Sequence, residues 1–268
     1  MQQINAIITA GGIPLPEDPL YEYSNGDSKA LIEIHGRPMI QWVLDALGES
    51  RWVKNVVIVG LSPQSGVTCS KPLYFLGNQG KMLDNIRVGT QEAQRLDPTF
   101  THVMIVSSDI PAITGEMVDW VVETAMEDEH LLDVYYNVVP REVMEERFPG
   151  SKRTYTHLKG MDVCGGDLSI GRIKTILDEK AIWTKLITYR KSPLRQAALI
   201  GWGTFFLLVL RRLTLEDAVE QVTRRLGVTG RALVCPYAEI GMDVDKPAQL
   251  EIMRRELKPR RKRKKAAA

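Results

Sequence analysis

Three groups of residues in this 268-residue chain suit phosphate and metal chemistry. The first is the glycine pair Gly11-Gly12, which ends the apolar run Ile4-Asn5-Ala6-Ile7-Ile8-Thr9-Ala10. Lacking a Cβ, glycine lets the backbone turn sharply and bring its N–H groups against an anion. The second is Lys29, which follows a long polar loop and precedes Gly36-Arg37-Pro38-Met39, where proline favours the first turn of a helix. The third is a set of acids: Asp109 in Ser107-Ser108-Asp109-Ile110-Pro111, and Asp243 and Asp245 in Gly241-Met242-Asp243-Val244-Asp245-Lys246-Pro247. Mg²⁺ usually takes one or two carboxylates and completes its shell with phosphate oxygens and water. Asp109 and Asp245 are the expected pair, with Mg²⁺ or Mn²⁺ as the ion, and Lys29 is placed to offset phosphate charge. Asp109 also suits capping of the following turn, Asp245 suits capping of a helix at Pro247, and Asp243 suits a metal or a structural role equally. Gly165-Gly166-Asp167 forms a fourth, weaker group. Gly166 and Asp167 suit the close approach of an acceptor, and a β-turn explains them as well. His157, in the alternating stretch Thr154–Lys159, reads as structural.

These residues need a scaffold that gathers them. Strands are expected over 4–9, 56–60, 72–76, 102–106, 131–139 and 231–235. Helices are expected over 38–48 and 81–95, after a Thr114 cap, from Thr214, and over 247–257. Continuous apolar runs such as Val56-Val57-Ile58-Val59 and His102-Val103-Met104-Ile105-Val106 are what parallel strands buried on both faces look like. Alternating strands and helices predict an α/β fold, Rossmann-like, with three α/β/α layers, a mostly parallel central sheet and a helical C-terminal elaboration over about 170–228. Ligands of such sheets bind outside the carboxyl ends of the strands, where Gly11-Gly12, Asp109 and the Asp243–Asp245 loop fall. The stretch 151–172 reads as irregular, rich in glycine and polar groups. One domain over 1–257 is the simplest organisation, followed by a basic tail, 258–268, expected to be disordered.

Bulk properties narrow the class. Hydrophobic residues make up 44% of the chain and charged ones 25%, enough for a substantial core. The net charge of +2 is concentrated in Lys258-Pro259-Arg260-Arg261-Lys262-Arg263-Lys264-Lys265, so the body is mildly acidic. With no nucleic-acid reading motif and no aromatic-interleaved basic strand, the sequence argues against a nucleic-acid partner. Cys69, Cys164 and Cys235 are isolated, without metal-ligand spacing, and four scattered histidines add none. A reducing, cytoplasmic setting is expected, with no signal peptide. The apolar stretch Ala197–Leu210 is shorter than the roughly 20 residues a spanning helix needs. It suits a buried helix. With Arg211, Arg212 and the basic tail it also suits peripheral contact with the inner face of a membrane through 197–212.

In order and spacing, the motifs resemble those of the NTP-transferase superfamily, on a nucleotide-diphospho-sugar transferase (glycosyltransferase-A-like) fold, nearest to its molybdenum-cofactor nucleotidyltransferase-like branch. The matching residues are Ala10-Gly11-Gly12, Lys29, Leu31, Gly36-Arg37-Pro38-Met39, Ser108-Asp109-Ile110-Pro111 and Asp243-Val244-Asp245-Lys246-Pro247-Ala248-Gln249-Leu250. Gly77-Asn78-Gln79-Gly80-Lys81-Met82 resembles the family's base-reading loop. The resemblance implies a nucleotidyltransferase that moves an NMP from an NTP to a phosphorylated small-molecule or lipid acceptor and releases pyrophosphate. It implies Lys29 and Asp109 as catalytic residues, Ala10, Gly11, Gly12, Lys29, Asn78 and Gly80 as nucleotide-binding, and Asp109 and Asp245 as metal ligands. A nucleotide-sugar-dependent glycosyltransferase and a non-catalytic nucleotide-binding or membrane-associated protein are the alternatives. The chain departs from the family's pattern after Gly12. Where relatives carry another glycine and an arginine, it reads Ile13-Pro14-Leu15-Pro16-Glu17-Asp18-Pro19-Leu20, with no basic residue before Lys29. Glu17, Asp18, Glu22 and Asp27 would repel phosphate unless a metal intervenes or they point away.

Overall fold

The computed structural model describes residues 3–178 and 210–257. Its elements are, in chain order, β1 (Ile4–Thr9), α1 (Tyr21–Ser24), β2 (Glu33–Ile34), β3 (Arg37–Pro38), α2 (Met39–Glu49), β4 (Val53–Val59), β5 (Leu73–Leu76), α3 (Met82–Leu96) and β6 (His102–Ser107). They continue with α4 (Gly115–Met126), β7 (Val134–Pro140), α5 (Arg141–Arg147), β8 (Thr156–Leu158), β9 (Met161–Arg172), α6 (Ile173–Leu177), α7 (Leu215–Leu226), β10 (Gly230–Val234) and α8 (Pro247–Glu256). The main sheet has the order β10-β7-β9-β6-β1-β4-β5, with β8 paired to β9. β1 lies parallel to β4 and β6, β4 to β5, and β10 to β7. β9 runs antiparallel between β6 and β7. A mostly parallel sheet flanked by helices is what the sequence predicts.

Side-chain alternation along β1 shows why. Ala6 and Ile8 enter the larger core, which they share with Val43, Leu44 and Leu47 of α2 and Val118 and Val121 of α4. Ile7 points the other way, into a smaller core with Val57, Val59, Ala93 of α3 and Ile173 of α6. A strand buried on both faces is nearly all apolar, and its one buried polar side chain, Asn5, is satisfied by Ala93 O and Asn55 Nδ2. α2 buries Met39, Ile40, Val43, Leu44 and Leu47, a helical stripe in which each large side chain contributes roughly 1.5–3 kcal/mol. Thr114 caps α4 as expected, accepting from the Met117 N–H.

One local expectation changes. The stretch 151–172, expected to be irregular, contains the twelve-residue strand β9. Its apolar alternation is interrupted by Gly165-Gly166, which reads as a turn. These glycines instead permit close packing inside a strand: a Cβ on Gly166 would stand 2.8 Å from Asn137 Cβ and 2.9 Å from Ile240 Cγ2. Pairing with β7 shifts register here, between Tyr136 and Val138, a common use of glycine within strands. The segment between the polar loop and the helix at Pro38 holds a 3₁₀ turn over Lys29–Leu31 and the two-residue β2.

Within the expected helical elaboration, α6 and α7 are described; 179–209, which holds most of the 197–212 stretch, and the tail 258–268 lie outside the described residues. Among the described residues no helix is long and apolar enough to cross a membrane. All three cysteines are free.

Candidate nucleotide and metal site

The carboxyl ends of β1 and β6 open into a cleft of about 760 Å³, at the sheet edge where open α/β folds place their ligands. Its floor is the glycine turn. Ala10 is buried, and its N–H donates to Val59 O at 2.8 Å. Gly11 then passes directly against Gly60, at the end of β4. Gly60 has φ +111°, and a Cβ there would lie 2.3 Å from Gly11 Cα, so backbone meets backbone and no other residue fits. Gly12 O accepts from the Lys29 N–H at 2.8 Å, and the Ser28 hydroxyl donates to Ala10 O. These bonds fasten the far end of the intervening loop to the turn.

Asn78 closes one side. Its Nδ2 donates to Gly11 O at 2.8 Å, while its Oδ1 accepts from Gly80 N at 2.9 Å and from Asn85 Nδ2 at 3.1 Å. Asn85, buried in the first turn of α3, also accepts from Gln79 N at 2.7 Å. Gly11, Gly12, Lys29, Asn78 and Gly80 all line the cleft, and Ala10 supports it from beneath.

The opposite side is a charge cluster. Lys29 Nζ donates to Asp109 Oδ2 at 2.6 Å and also to Asp245 Oδ1. Burial alone would lower the lysine's pKa; the two carboxylates outweigh it and hold the ammonium above its usual range. The Ser107 hydroxyl donates to Asp109 Oδ1. Val244 N donates to Asp109 O at 2.9 Å, pinning the C-terminal loop to the end of β6. Gln249 Oε1 accepts from the N–H groups of Asp245 and Lys246 at 2.8 and 2.9 Å. Gln249 thus serves the start of α8, leaving the Asp245 carboxylate to the cleft.

Carboxylate oxygens of Asp109, Asp243 and Asp245 lie within 4.8 Å of one another. Three carboxylates and no sulfur or nitrogen is a donor set for a hard cation. Asp243 Oδ1 also meets the Arg153 guanidinium, and the all-carboxylate donor set of this cluster fits a divalent ion. Asp167, from β9, faces the same cluster. Burial first, then the Asp109 charge, raises its pKa to about 7. Gly166 packs beneath Asn137 and Ile240 instead of lining the cleft.

The acids of the divergent loop point away. Glu17, Asp18, Glu22 and Asp27 are exposed and none lines the cleft; the Asp18 carboxylate accepts from Leu15 N at 2.7 Å. His157 also lies outside the cleft, its Nδ1 2.7 Å from Asp162 Oδ1. The sequence expectation lacks Gly60, which backs the glycine turn, and Arg153, which lines the cleft. Gly60 ends an apolar strand and was open to notice as a second glycine turn. Arg153 sits in Ser151-Lys152-Arg153-Thr154, where nothing but its charge marks it.

Residues 24–160 match the family model described as the MobA-like NTP transferase domain. A hypothetical transferase from Thermus thermophilus is 34% identical, with a TM-score of 0.80 over 93% of this chain and 100% of its own. A probable molybdenum cofactor guanylyltransferase from Pyrococcus horikoshii is 26% identical over 98 residues, 37% of this chain. That alignment spans about half of the curated relative, 48% of its length. A CMP:2-keto-3-deoxy-manno-octonic acid synthetase, solved with CTP, shares the fold at 15% identity and a TM-score of 0.58, over 95% of this chain and 98% of its own.

Proposed function

We propose that this chain, which belongs to the MobA-like NTP transferase domain family, moves an NMP from an NTP to a phosphorylated acceptor with help from Mg²⁺ or Mn²⁺. A nucleotidyltransferase-type reaction follows from the family; the cation, the acceptor class and the residue roles are our reading. The observation that carries it is the Lys29 ammonium set between Asp109 and Asp245, under the glycine turn. An acceptor phosphate oxygen forms a bond to the α-phosphorus as the Pα–O bond to the β-phosphate breaks. Pyrophosphate leaves with the electron pair.

The residues have distinct tasks. Gly11 and Gly12 offer N–H groups to the phosphates, and Lys29 offsets their charge. Asn78 and Gly80 border the base. Asp109 and Asp245, joined by Asp243, would hold the cation. Bound there, it would neutralise charge on the phosphate oxygens. Asp167 faces the acceptor side. In this reading 1–257 act as one domain, and the acceptor is a phosphorylated small molecule or lipid.

Thermal stability with ATP, GTP, CTP and UTP, with and without Mg²⁺, tests it on wild type and Asp109→Ala. A ligand specific to the folded state adds about 2.7 kcal/mol at a hundredfold excess over its dissociation constant. The expected result is a rise with one NTP that needs both Mg²⁺ and Asp109. No rise with any NTP would overturn the proposal and direct attention to nucleotide sugars.

A further inference from the structure

Arg153 has no part in the roles above, yet it is the second cation of the cleft. Its side chain is 14% exposed and makes an ion pair with Asp243, itself 12% exposed. Arg153 Nη1 is the atom that meets Asp243 Oδ1, while Arg153 Nε is buried without a hydrogen-bond partner among the described residues. Asp243 belongs at the same time to the three-carboxylate cluster. Both cleft cations therefore rest on the carboxylates that would receive a divalent ion: Lys29 on Asp109 and Asp245, Arg153 on Asp243.

A divalent ion and a guanidinium compete for Asp243. When the ion wins, Arg153 loses the Asp243 carboxylate and is left buried with the nearby Asp167, so another anion is favoured at its fork of donors. Guanidinium geometry matches phosphate oxygens bidentately. The glycine-turn loop supplies no basic residue before Lys29, so a cation from elsewhere in the fold is needed for a second phosphate group.

We propose that Arg153 is the acceptor-phosphate anchor, and that Asp243 holds it in reserve until a divalent ion claims the carboxylate. Metal and acceptor phosphate then bind with positive coupling, each strengthening the other. The inference rests on the nucleotidyltransferase reading and names its acceptor as one with a phosphoryl group beside the cation.

The test needs no turnover. In ¹⁵N-labelled protein the Arg153 Nε–H resonance, assigned by its loss in Arg153→Gln, is followed during titration with Mg²⁺ alone, then with inorganic phosphate, in Mg²⁺ or in chelator. Mg²⁺ alone is expected to shift the resonance. Phosphate should bind wild type about tenfold more tightly with Mg²⁺ than without, within the usual range of coupling. Arg153→Gln should bind Mg²⁺ but lose that phosphate affinity, and Arg153→Lys should recover part of it. Asp243→Asn should bind phosphate without Mg²⁺. A wild-type resonance indifferent to Mg²⁺, or unchanged phosphate affinity in folded Arg153→Gln, would overturn the proposal. If Arg153→Gln does not fold, Arg153→Lys and the wild-type resonance decide it. NTP binding with unchanged phosphate affinity in Arg153→Gln sinks this inference alone. Metal–phosphate coupling with no NTP binding sinks the nucleotidyltransferase reading instead.

Discussion

Asp133 and Asp167 are both partly buried acids beside the sheet, and their surroundings push them in opposite directions. Asp133 precedes β7. Its Oδ1 accepts from Arg172 Nε at 2.8 Å and Thr175 Oγ1 at 2.9 Å, and its Oδ2 from Thr229 N at 2.8 Å and Thr229 Oγ1 at 3.0 Å. Burial would raise it, but these donors outweigh burial and bring the carboxyl to about 2. Asp167 lies midway along β9, whose far end supplies Arg172. There burial and neighbouring acids act together, and the carboxyl rises to about 7. One end of β9 is saturated with donors and fastens β7, α6 and the start of β10. Its middle holds charge in tension. The difference teaches that a compensated and an uncompensated carboxyl can be served by one strand, separated by a few residues.

The sharpest way to break that contrast is at the cleft. Asp109→Ala is expected to cut nucleotidyl transfer about 10²–10³-fold, the scale of losing one aligned electrostatic group. Its urea midpoint should be little changed; a collapsed midpoint would make Asp109 a structural residue like Asp133. Next in size, Asp133→Ala should cost about 2–3 kcal/mol in urea unfolding while leaving Mg²⁺ affinity intact. Its pH signature follows from the sign of the shift. A lowered folded pKa stabilises above the unfolded value near 4, and that contribution fades as pH falls toward 2. The variant's stability should therefore fall less than wild type's over that window.

Asp167→Asn should do the reverse. A raised folded pKa means the folded state holds the extra proton, so wild type loses stability as pH climbs from about 4 through about 7. With a chelator present, the variant should gain stability at pH 8 and nothing at pH 4. A loss at pH 8 would show that the ionised carboxylate is well compensated. Smallest of all, Thr175→Val removes one of the four donors to Asp133 and should cost about 1 kcal/mol by the same unfolding measurement.

Much of this was legible in the residues because local physics decided it. β1 announces itself by its mostly apolar run, and the glycine pair marks where it must turn. Asp109 and Asp245 stand directly after such punctuated segments. β9 was not legible, because its glycines answer to Tyr136, Asn137 and Ile240, neighbours that only the folded sheet brings near. Arg153 was hidden for a similar reason. Its meaning depends on Asp243, ninety positions later, and no spacing rule links them. Gly166 carried a turn-like signal whose cause was packing.

The backbone bond from Val244 to Asp109 also has a consequence in time. During translation, β1, β6 and Asp109 emerge well before the segment that brings Asp243 and Asp245. At about 5–20 residues per second, the ribosome needs on the order of ten seconds to deliver it. Until then Lys29 has Asp109 but not Asp245. A nascent chain can therefore build half its sheet while two of the three clustered carboxylates are still unmade, so the cluster is completed only after most of the sheet.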